Sequence, residues 1–243
     1  MSGRRLHPAL ALALLLTGLV FILGAMAQSN QPTGPDITFN FTEEGPPRPA
    51  AEIITAGGTI TTMILNGTTQ NPHWKGYVGN VTGQLALQDA SGYSLYAWTL
   101  STVSGEVYVS RNGSVNWTAI DCANATHVAS EESAMSHNSS ALDSISNTFS
   151  PPGLHPVFST AARQFAANEC NYTVNTFVNS TLQNTSFYEI LLSDGPHVVY
   201  STIIENSSLG FDVGTYDFQL IVAENGSTSS GTSTPYYFYV ELV

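Results

Sequence analysis

Positively charged residues are scarce in this chain, which has six lysines and arginines against eighteen aspartates and glutamates. Two of the six, Arg4 and Arg5, lie near the start; without them four fixed cations oppose eighteen acids, a formal charge of −14. Such a surface repels nucleic-acid phosphates and anionic lipid headgroups. We therefore expect no nucleic-acid partner, whereas neutral sugars and divalent cations stay open as ligands.

The sequence also lacks the motifs of common enzyme families. It has no G-x-S-x-G nucleophile elbow, no P-loop and no dinucleotide-binding glycine fingerprint. His127 and Glu131 could share a helix face, but H-E-x-x-H is missing, and a solvated helix surface is favoured over a metal site. Nothing singles out a glycosidase pair among the eighteen acids. We predict that the protein is not an enzyme, with an extracellular hydrolase as a distant alternative.

Cysteine is nearly absent. Cys122 and Cys170 are the two cysteines, and they lie 48 residues apart. Neither has another cysteine two or three residues away, as zinc and redox pairs usually do. In an exported chain such a pair is most simply one disulfide, with a redox or metal pair as the alternative.

An apolar run, "ALALALLLTGLVFILGAMA", occupies residues 9–27 after the two arginines. It ends in Ala25-Met26-Ala27, a small-x-small pattern typical of signal-peptide cleavage sites. The alternative is a retained membrane anchor, because a run of about 18 apolar residues can span a bilayer. We predict that residues 1–27 are a signal peptide, that the protein is extracellular or on the cell surface, and that any membrane contact is made through this segment.

Asparagine occurs unusually often in the glycan-acceptor context Asn-x-Ser/Thr. Twelve triplets match, none with proline in the middle, and three of them surround Cys122 within "RNGSVNWTAIDCANAT". A composition rich in serine and threonine explains some of these matches but not twelve, so we predict an N-glycosylated protein. The acceptors are Asn40, Asn66, Asn80, Asn112, Asn116, Asn124, Asn138, Asn171, Asn179, Asn184, Asn206 and Asn225.

The periodicity of the chain predicts a mainly β fold. "DITFNFTEE" alternates apolar and polar residues, and a proline-rich linker follows it, so residues 28–52 are predicted to be an N-terminal strand and a linker. Strand-like segments with intervening turns, "GTITTMIL" among them, fill residues 53–110 and 187–243. Between them, "THVASEESAMSHNSSALDSISNTF" favours one or two short helices. We predict one antiparallel β-sandwich domain over residues 53–243, with a disulfide-bracketed helical insertion at about 116–165.

Two kinds of ligand site are conceivable. Trp74, beside a turn in "NPHWKG", is the best candidate for an exposed ring that stacks on sugars, whereas Trp98 in "LYAWTL" is predicted to lie in the core. Asp194, Asp212 and Asp217 could supply oxygen ligands to calcium at a strand rim. The alternative is that these aspartates simply form turns.

Several stretches together resemble a family of exported archaeal proteins of unassigned function. They are "GGTIT", "WKGYVGNVTGQLALQDA", "SGEVYVSRNGSVNW", "CANATHVASEE", "DSISNTF", "YDFQLIVAENG" and "YYFYVELV", spread over most of the chain after residue 27. The resemblance implies an archaeal cell surface and a β-rich fold. It implies no catalytic residues.

Two functional hypotheses follow. In the first, the protein is a structural or interaction protein of the cell envelope that assembles with itself or with other surface proteins into a layer or filament. Its N-terminal strand would then be donated to a neighbouring subunit. The alternatives are that this segment is the first edge strand of its own sheet or a disordered stalk. In the second, it is an adhesin or carbohydrate-binding module that uses exposed aromatic residues and calcium. Apart from this calcium, we expect no cofactor.

Overall fold

The computed structural model describes residues 31–38, 41–161, 163–226 and 233–243. The predicted signal peptide lies outside these residues, as does Asn40. The described residues form mainly antiparallel strands, which confirms the predicted fold class. The strands are β1 (Trp74–Gly79), β2 (Gln84–Gln88), β3 (Ser94–Thr99), β4 (Gly105–Ser110), β5 (Asp121–Cys122), β6 (Phe158–Thr160), β7 (Arg163–Phe165), β8 (Thr173–Asn175), β9 (Tyr188–Ser193), β10 (Val198–Ile203), β11 (Ser208–Leu209), β12 (Thr215–Tyr216), β13 (Phe218–Ala223) and β14 (Tyr237–Leu242).

The largest sheet has the order β14-β4-β10-β9-β5, with β8 also paired to β9. Its central strands β4, β9 and β10 are buried along almost their whole length. Their sequences, "GEVYVS", "YEILLS" and "VVYSTI", are correspondingly rich in apolar residues at consecutive positions. A strand with such a continuous run is buried on both faces, so both faces of this sheet need a cover.

The β1–β13 pair covers one face of the sheet. Val107 and Val109 of β4 point to this side together with Tyr200 of β10. They pack with Leu220 and Val222 of β13 in the first of two hydrophobic clusters. Two helices complete the cluster, α1 (Ala125–Ala134) and α2 (Ile145–Thr148). The β1–β13 pair and the large sheet together form the predicted sandwich.

The helical insertion supplies the cover for the opposite face. Tyr108 and Val199, which alternate with the residues of the first cluster, pack there against Trp117, Phe158 and Phe165 in a second cluster. Trp117 lies in a short 3-10 turn (Trp117–Ala119), and the two phenylalanines lie in the β6–β7 pair, with rings stacked 4.7 Å apart between centroids. The insertion therefore wraps around the sheet and contributes to both cores.

Two predicted strands are absent at the residues where they were expected. Residues 36–38 and 41–44 of "DITFNFTEE" form no strand, and neither do residues 58–65 of "GTITTMIL". The nearest ladder contact is a single bridge between Thr33 and Val240 of β14. The first segment alternates apolar and polar residues and the second has a strand-like composition, but a strand also needs a neighbouring strand to satisfy its backbone groups. These segments have none among the described residues.

Strands β2 and β3 form a hairpin that stands apart from both cores. Each residue of the two strands is exposed, and in the described part of the chain they pair only with each other. The hairpin is attached at its base, where Val81 and Val103 pack against the first cluster. An isolated two-stranded hairpin is marginally stable in water at best, so this exposed position calls for an explanation.

Candidate functional site

The disulfide predicted from the sequence is present between Cys122 and Cys170, whose Cα atoms lie 5.1 Å apart. Cys122 ends β5, where it pairs with Leu192 of β9, and Cys170 is fully buried in the second cluster. Both helices and the β6–β7 pair lie in the loop that this bond closes. The disulfide thus fixes the insertion to the large sheet.

The three calcium candidates do not form one site. Asp194 lies in the turn before β10, whereas the backbone carbonyl of Asp217 accepts the N–H of Glu205, just after β10. The six residues of that strand separate the two positions by roughly 20 Å. Among the described residues there is no group of three or more His, Cys, Asp or Glu side chains placed to hold a metal ion.

Each of these aspartates instead organises a turn. Asp194 is buried and accepts the N–H groups of His197 and Asn116. Asp212 accepts the N–H of Gly214 at 2.7 Å. Asp217 accepts the N–H groups of Val81 and Ser207, both at 2.8 Å. Carboxylate oxygens that already accept backbone hydrogen bonds match the turn-forming alternative.

The acceptor asparagines are mostly at the surface. Of the eleven in the described residues, Asn112 and Asn225 are half-buried and nine are exposed. A glycan needs a solvent-facing amide nitrogen, so these nine positions can carry one without displacing the core. They are Asn66, Asn80, Asn116, Asn124, Asn138, Asn171, Asn179, Asn184 and Asn206.

Neighbouring acceptors differ in what their amide groups do. The Nδ2 of Asn112 donates to the carbonyl of Ser114 at 3.0 Å and to Oδ2 of Asp194 at 3.2 Å, which engages both of its hydrogens. Asn116 uses its Oδ1, which accepts the hydroxyl of Thr118 at 2.7 Å. Asn124 also uses Oδ1, to cap α1 by accepting the N–H groups of Thr126 and His127. A sugar on Nδ2 is compatible with the last two arrangements but not with the first.

Trp74 is not the exposed ring that its position in the sequence predicts. Its indole N–H donates to the carbonyl of Asp143 at 2.8 Å, and its ring lies against His137 and Phe149 at the margin of the first cluster. The prediction of exposure is wrong because the turn at residues 71–73 folds Trp74 onto the helical insertion, a long-range contact that local polarity does not reveal.

Trp98 is the exposed tryptophan, although the apolar residues around it predict a core position. It lies in β3 with about half of its surface exposed, and its ring packs edge to face with that of Tyr96, 4.8 Å apart between centroids. Across the hairpin, Leu85 is opposite Trp98 and Leu87 is opposite Tyr96. All four side chains lie on one face, which we call the hairpin apolar face.

Sugar acceptors are absent from the sequence around this face. No Asn-x-Ser/Thr triplet occurs between Asn80 and Asn112, and Asp89 is the one charged residue from Gln84 to Thr99. Monomeric proteins seldom expose a contiguous apolar patch without a function for it. Two signals are present in the sequence: apolar residues on both sides of Trp98, which predict a core position, and the absence of acceptor asparagines, which agrees with the exposed face.

Buried acids form the second feature that the sequence did not indicate. Glu106, Glu189 and Glu241 are each at most 6% exposed, and burial is the main cause that raises the pKa of all three carboxyls. Glu189 accepts the N–H of Ile221 at 2.9 Å and so satisfies a backbone group of β13 where it faces the large sheet. Glu189 thus links two sheets, and all three acids lie away from the exposed surface.

Among the described residues, no helix combines the length and the apolar character that crossing a membrane requires. No family model matches the chain, and neither does any curated protein or solved structure. The resemblance to exported archaeal proteins therefore stays a prediction.

Proposed function

We propose that this is an exported, N-glycosylated cell-surface protein that assembles with copies of itself into a surface layer or filament. The observation that carries the proposal is the hairpin apolar face, which is exposed, almost uncharged and outside the sequence regions that contain acceptor asparagines. It provides an adhesive surface on a chain that is otherwise strongly acidic and rich in acceptor sites.

Several features support export and a sugar coat. The first 27 residues have the pattern of a signal peptide, and a disulfide is typical of oxidising compartments. Nine acceptor asparagines are exposed. The resemblance to exported archaeal surface proteins points to the same compartment. No catalytic role follows from the buried acids, because solvent and substrate do not reach them.

A self-assembling protein must bury apolar area without bringing like charges together. With a formal charge of −14 after removal of residues 1–27, two copies of this chain repel each other over most of their surface. On the hairpin, by contrast, four exposed apolar side chains lie together and Asp89 is the one charged residue of its two strands and turn. Contact through it avoids the repulsion.

A second candidate function is that of an adhesin or carbohydrate-binding module. The exposed pair Tyr96 and Trp98 favours it, because aromatic rings stack on sugars. The two rings are inclined by 63°, so they offer two differently directed surfaces and not one flat platform. A glycan array with wild-type protein and a Trp98→Ala variant tests this function; failure to bind any sugar would remove it.

Protein purified from its producing cells tests the main proposal. Size-exclusion chromatography with light scattering and negative-stain microscopy should show ordered oligomers, filaments or lattices, and intact-mass measurement should show added glycans. A discrete monomer at cell-surface concentrations would contradict assembly, and an unmodified polypeptide mass would contradict the sugar coat.

A further inference from the structure

A second exposed apolar segment, Ile53–Leu65, precedes β1. Ile54, Ile60, Ile64 and Leu65 are between 82% and 99% exposed, and none of the thirteen residues is in a strand. The segment contains no charged residue and no acceptor asparagine, and Asn66 follows it directly. Soluble proteins do not usually leave a run of isoleucine and leucine this open.

The composition of this segment suits a strand. "TITTMIL" (Thr59–Leu65) consists of threonine and large apolar residues, which fit a pleated surface well. In extended form Ile60, Thr62 and Ile64 would share one face. What the segment lacks is a neighbour that supplies main-chain hydrogen bonds.

The β2–β3 hairpin has the complementary deficiency. Because its strands pair only with each other within the described residues, each has an outer edge with unpaired N–H and C=O groups. Its apolar face is likewise uncovered. A third strand added to an edge would satisfy backbone groups, and its side chains would extend the apolar face.

We propose that Ile53–Leu65 of one copy adds as a strand to the β2–β3 hairpin of the next copy, and that this joint links the subunits. The inference rests on the proposed function and identifies the parts that would join. It also moves the predicted donor strand from residues 36–44 to residues 53–65.

The positions of the two parts favour a neighbouring copy over the same chain. Donor and hairpin leave β1 at opposite ends, because the donor precedes Trp74 and the hairpin follows Gly79. The donor end is held by Asn71, whose Nδ2 donates to Oδ2 of Asp143 at 3.0 Å, and by the bond from Trp74 to the same residue. A donor at one end and an acceptor at the other produce a head-to-tail contact, which extends into filaments or closes into rings.

Charge favours a copy of this chain over an unrelated partner of opposite charge. Both parts lack basic residues and together contain one acid, Asp89. A cationic partner would gain nothing there, whereas two copies of an acidic chain can meet at these parts without repulsion.

Two double variants test the joint by complementation. Ile60→Asp/Ile64→Asp places charges in the donor, and Leu85→Asp/Trp98→Asp places them on the hairpin. Leu142→Asp/Val213→Asp is the matched control, because both of its residues are at least 88% exposed and lie outside donor and hairpin. Each protein is studied by light scattering and negative-stain microscopy, with thermal unfolding to check the fold.

We expect assemblies from wild type and control, and monomers from either double variant alone. Mixing the two variants should give dimers and nothing larger, since one intact donor and one intact hairpin remain between them. Assembly of both variants at the wild-type level would overturn the joint and leave the proposed function standing. A monomeric wild type would overturn both proposals. Loss of thermal stability in the donor variant as a monomer, with no dimers on mixing, would show instead that the segment pairs within its own chain.

Discussion

Glu106 and Glu241 are direct partners across the β4–β14 ladder, and both are buried, at 4% and 6% exposure. Glu241 accepts the hydroxyl of Tyr108 at 3.0 Å and the N–H of Ala161 at 2.8 Å. Glu106 accepts one long bond from the N–H of Ser159 and has an Oε2 without a partner. In the described part of the chain neither acid forms an ion pair, so burial and mutual repulsion raise the pKa of Glu106 to about 8.

This pair predicts that stability falls as the pH rises. Between the unfolded value of 4.5 and about 8, Glu106 keeps its proton in the folded state but loses it on unfolding. The folded state then binds more protons, so the free energy of unfolding decreases, by up to about 1.4 kcal/mol per pH unit for one such group. Urea unfolding between pH 5 and pH 8 measures the slope.

Glu106→Gln should flatten that slope and make the protein more stable than wild type at pH 8. At pH 5 the difference should be small, because Glu106 is protonated in the folded state. Glu205→Gln, at a half-buried acid outside the pair, is the matched control for the loss of one carboxylate. An unchanged slope in Glu106→Gln would show that Glu106 ionises normally in the folded protein.

Removal of the disulfide should destabilise the protein strongly. The Cys122–Cys170 bond closes a loop of 48 residues, for which the loss of chain entropy in the unfolded state corresponds to about 4 kcal/mol. The insertion inside that loop packs on both faces of the large sheet. Cys122→Ala/Cys170→Ala should therefore lower the free energy of unfolding by about that amount in urea titrations. A loss below about 1 kcal/mol would mean that packing alone holds the insertion.

Much of the fold follows from local pattern. Strands β4, β9, β10 and β14 are apolar runs bounded by turn residues, and the change to a helical composition marks α1 and α2 correctly. These elements are predictable because their type and their ends both depend on residues that are close together in the sequence. The disulfide between the two cysteines was equally predictable, because a redox or metal pair usually requires a second cysteine two or three residues away.

The candidate site was less predictable, because exposure depends on contacts between distant residues. Trp74 is half-buried through Asp143, which is 69 residues away, and Trp98 is exposed because its hairpin meets no second sheet. A strand-like composition between turn residues predicts a strand, but it does not indicate what covers the faces of that strand. Donor and hairpin were therefore both predicted as ordinary strands of one sandwich.

The exchanged roles of the two tryptophans can be measured directly. Trp74→Ala removes a ring that packs on the first cluster and a hydrogen bond, and should cost about 2–3 kcal/mol of unfolding free energy. Trp98→Ala should change stability by no more than about 0.5 kcal/mol at concentrations at which the chain is monomeric. Equal losses in the two variants would contradict the exposed position of the hairpin.

Glycan occupancy should differ between Asn112 and Asn116, although both have perfect acceptor triplets. The Nδ2 of Asn112 is held by Ser114 and Asp194, whereas the bond to Thr118 leaves the Nδ2 of Asn116 uninvolved. Attaching a sugar to Asn112 would break at least one of its two bonds, beside an aspartate that is buried. Asn112 should therefore remain unmodified in the folded protein, and Asn116 should carry a glycan.

Glycopeptide mass spectrometry of protein from its producing cells, compared with Asn→Gln variants, measures this difference. Asn116→Gln should reduce the intact mass by one glycan and leave stability unchanged, because Asn116 is exposed. Asn112→Gln should leave the mass of attached sugar unchanged but lower stability by about 1 kcal/mol, since the longer side chain cannot keep both hydrogen bonds to Ser114 and Asp194. A glycan on Asn112 in the native protein would show that this turn opens before or during modification, and that Asp194 can lose its amide partner without loss of the fold.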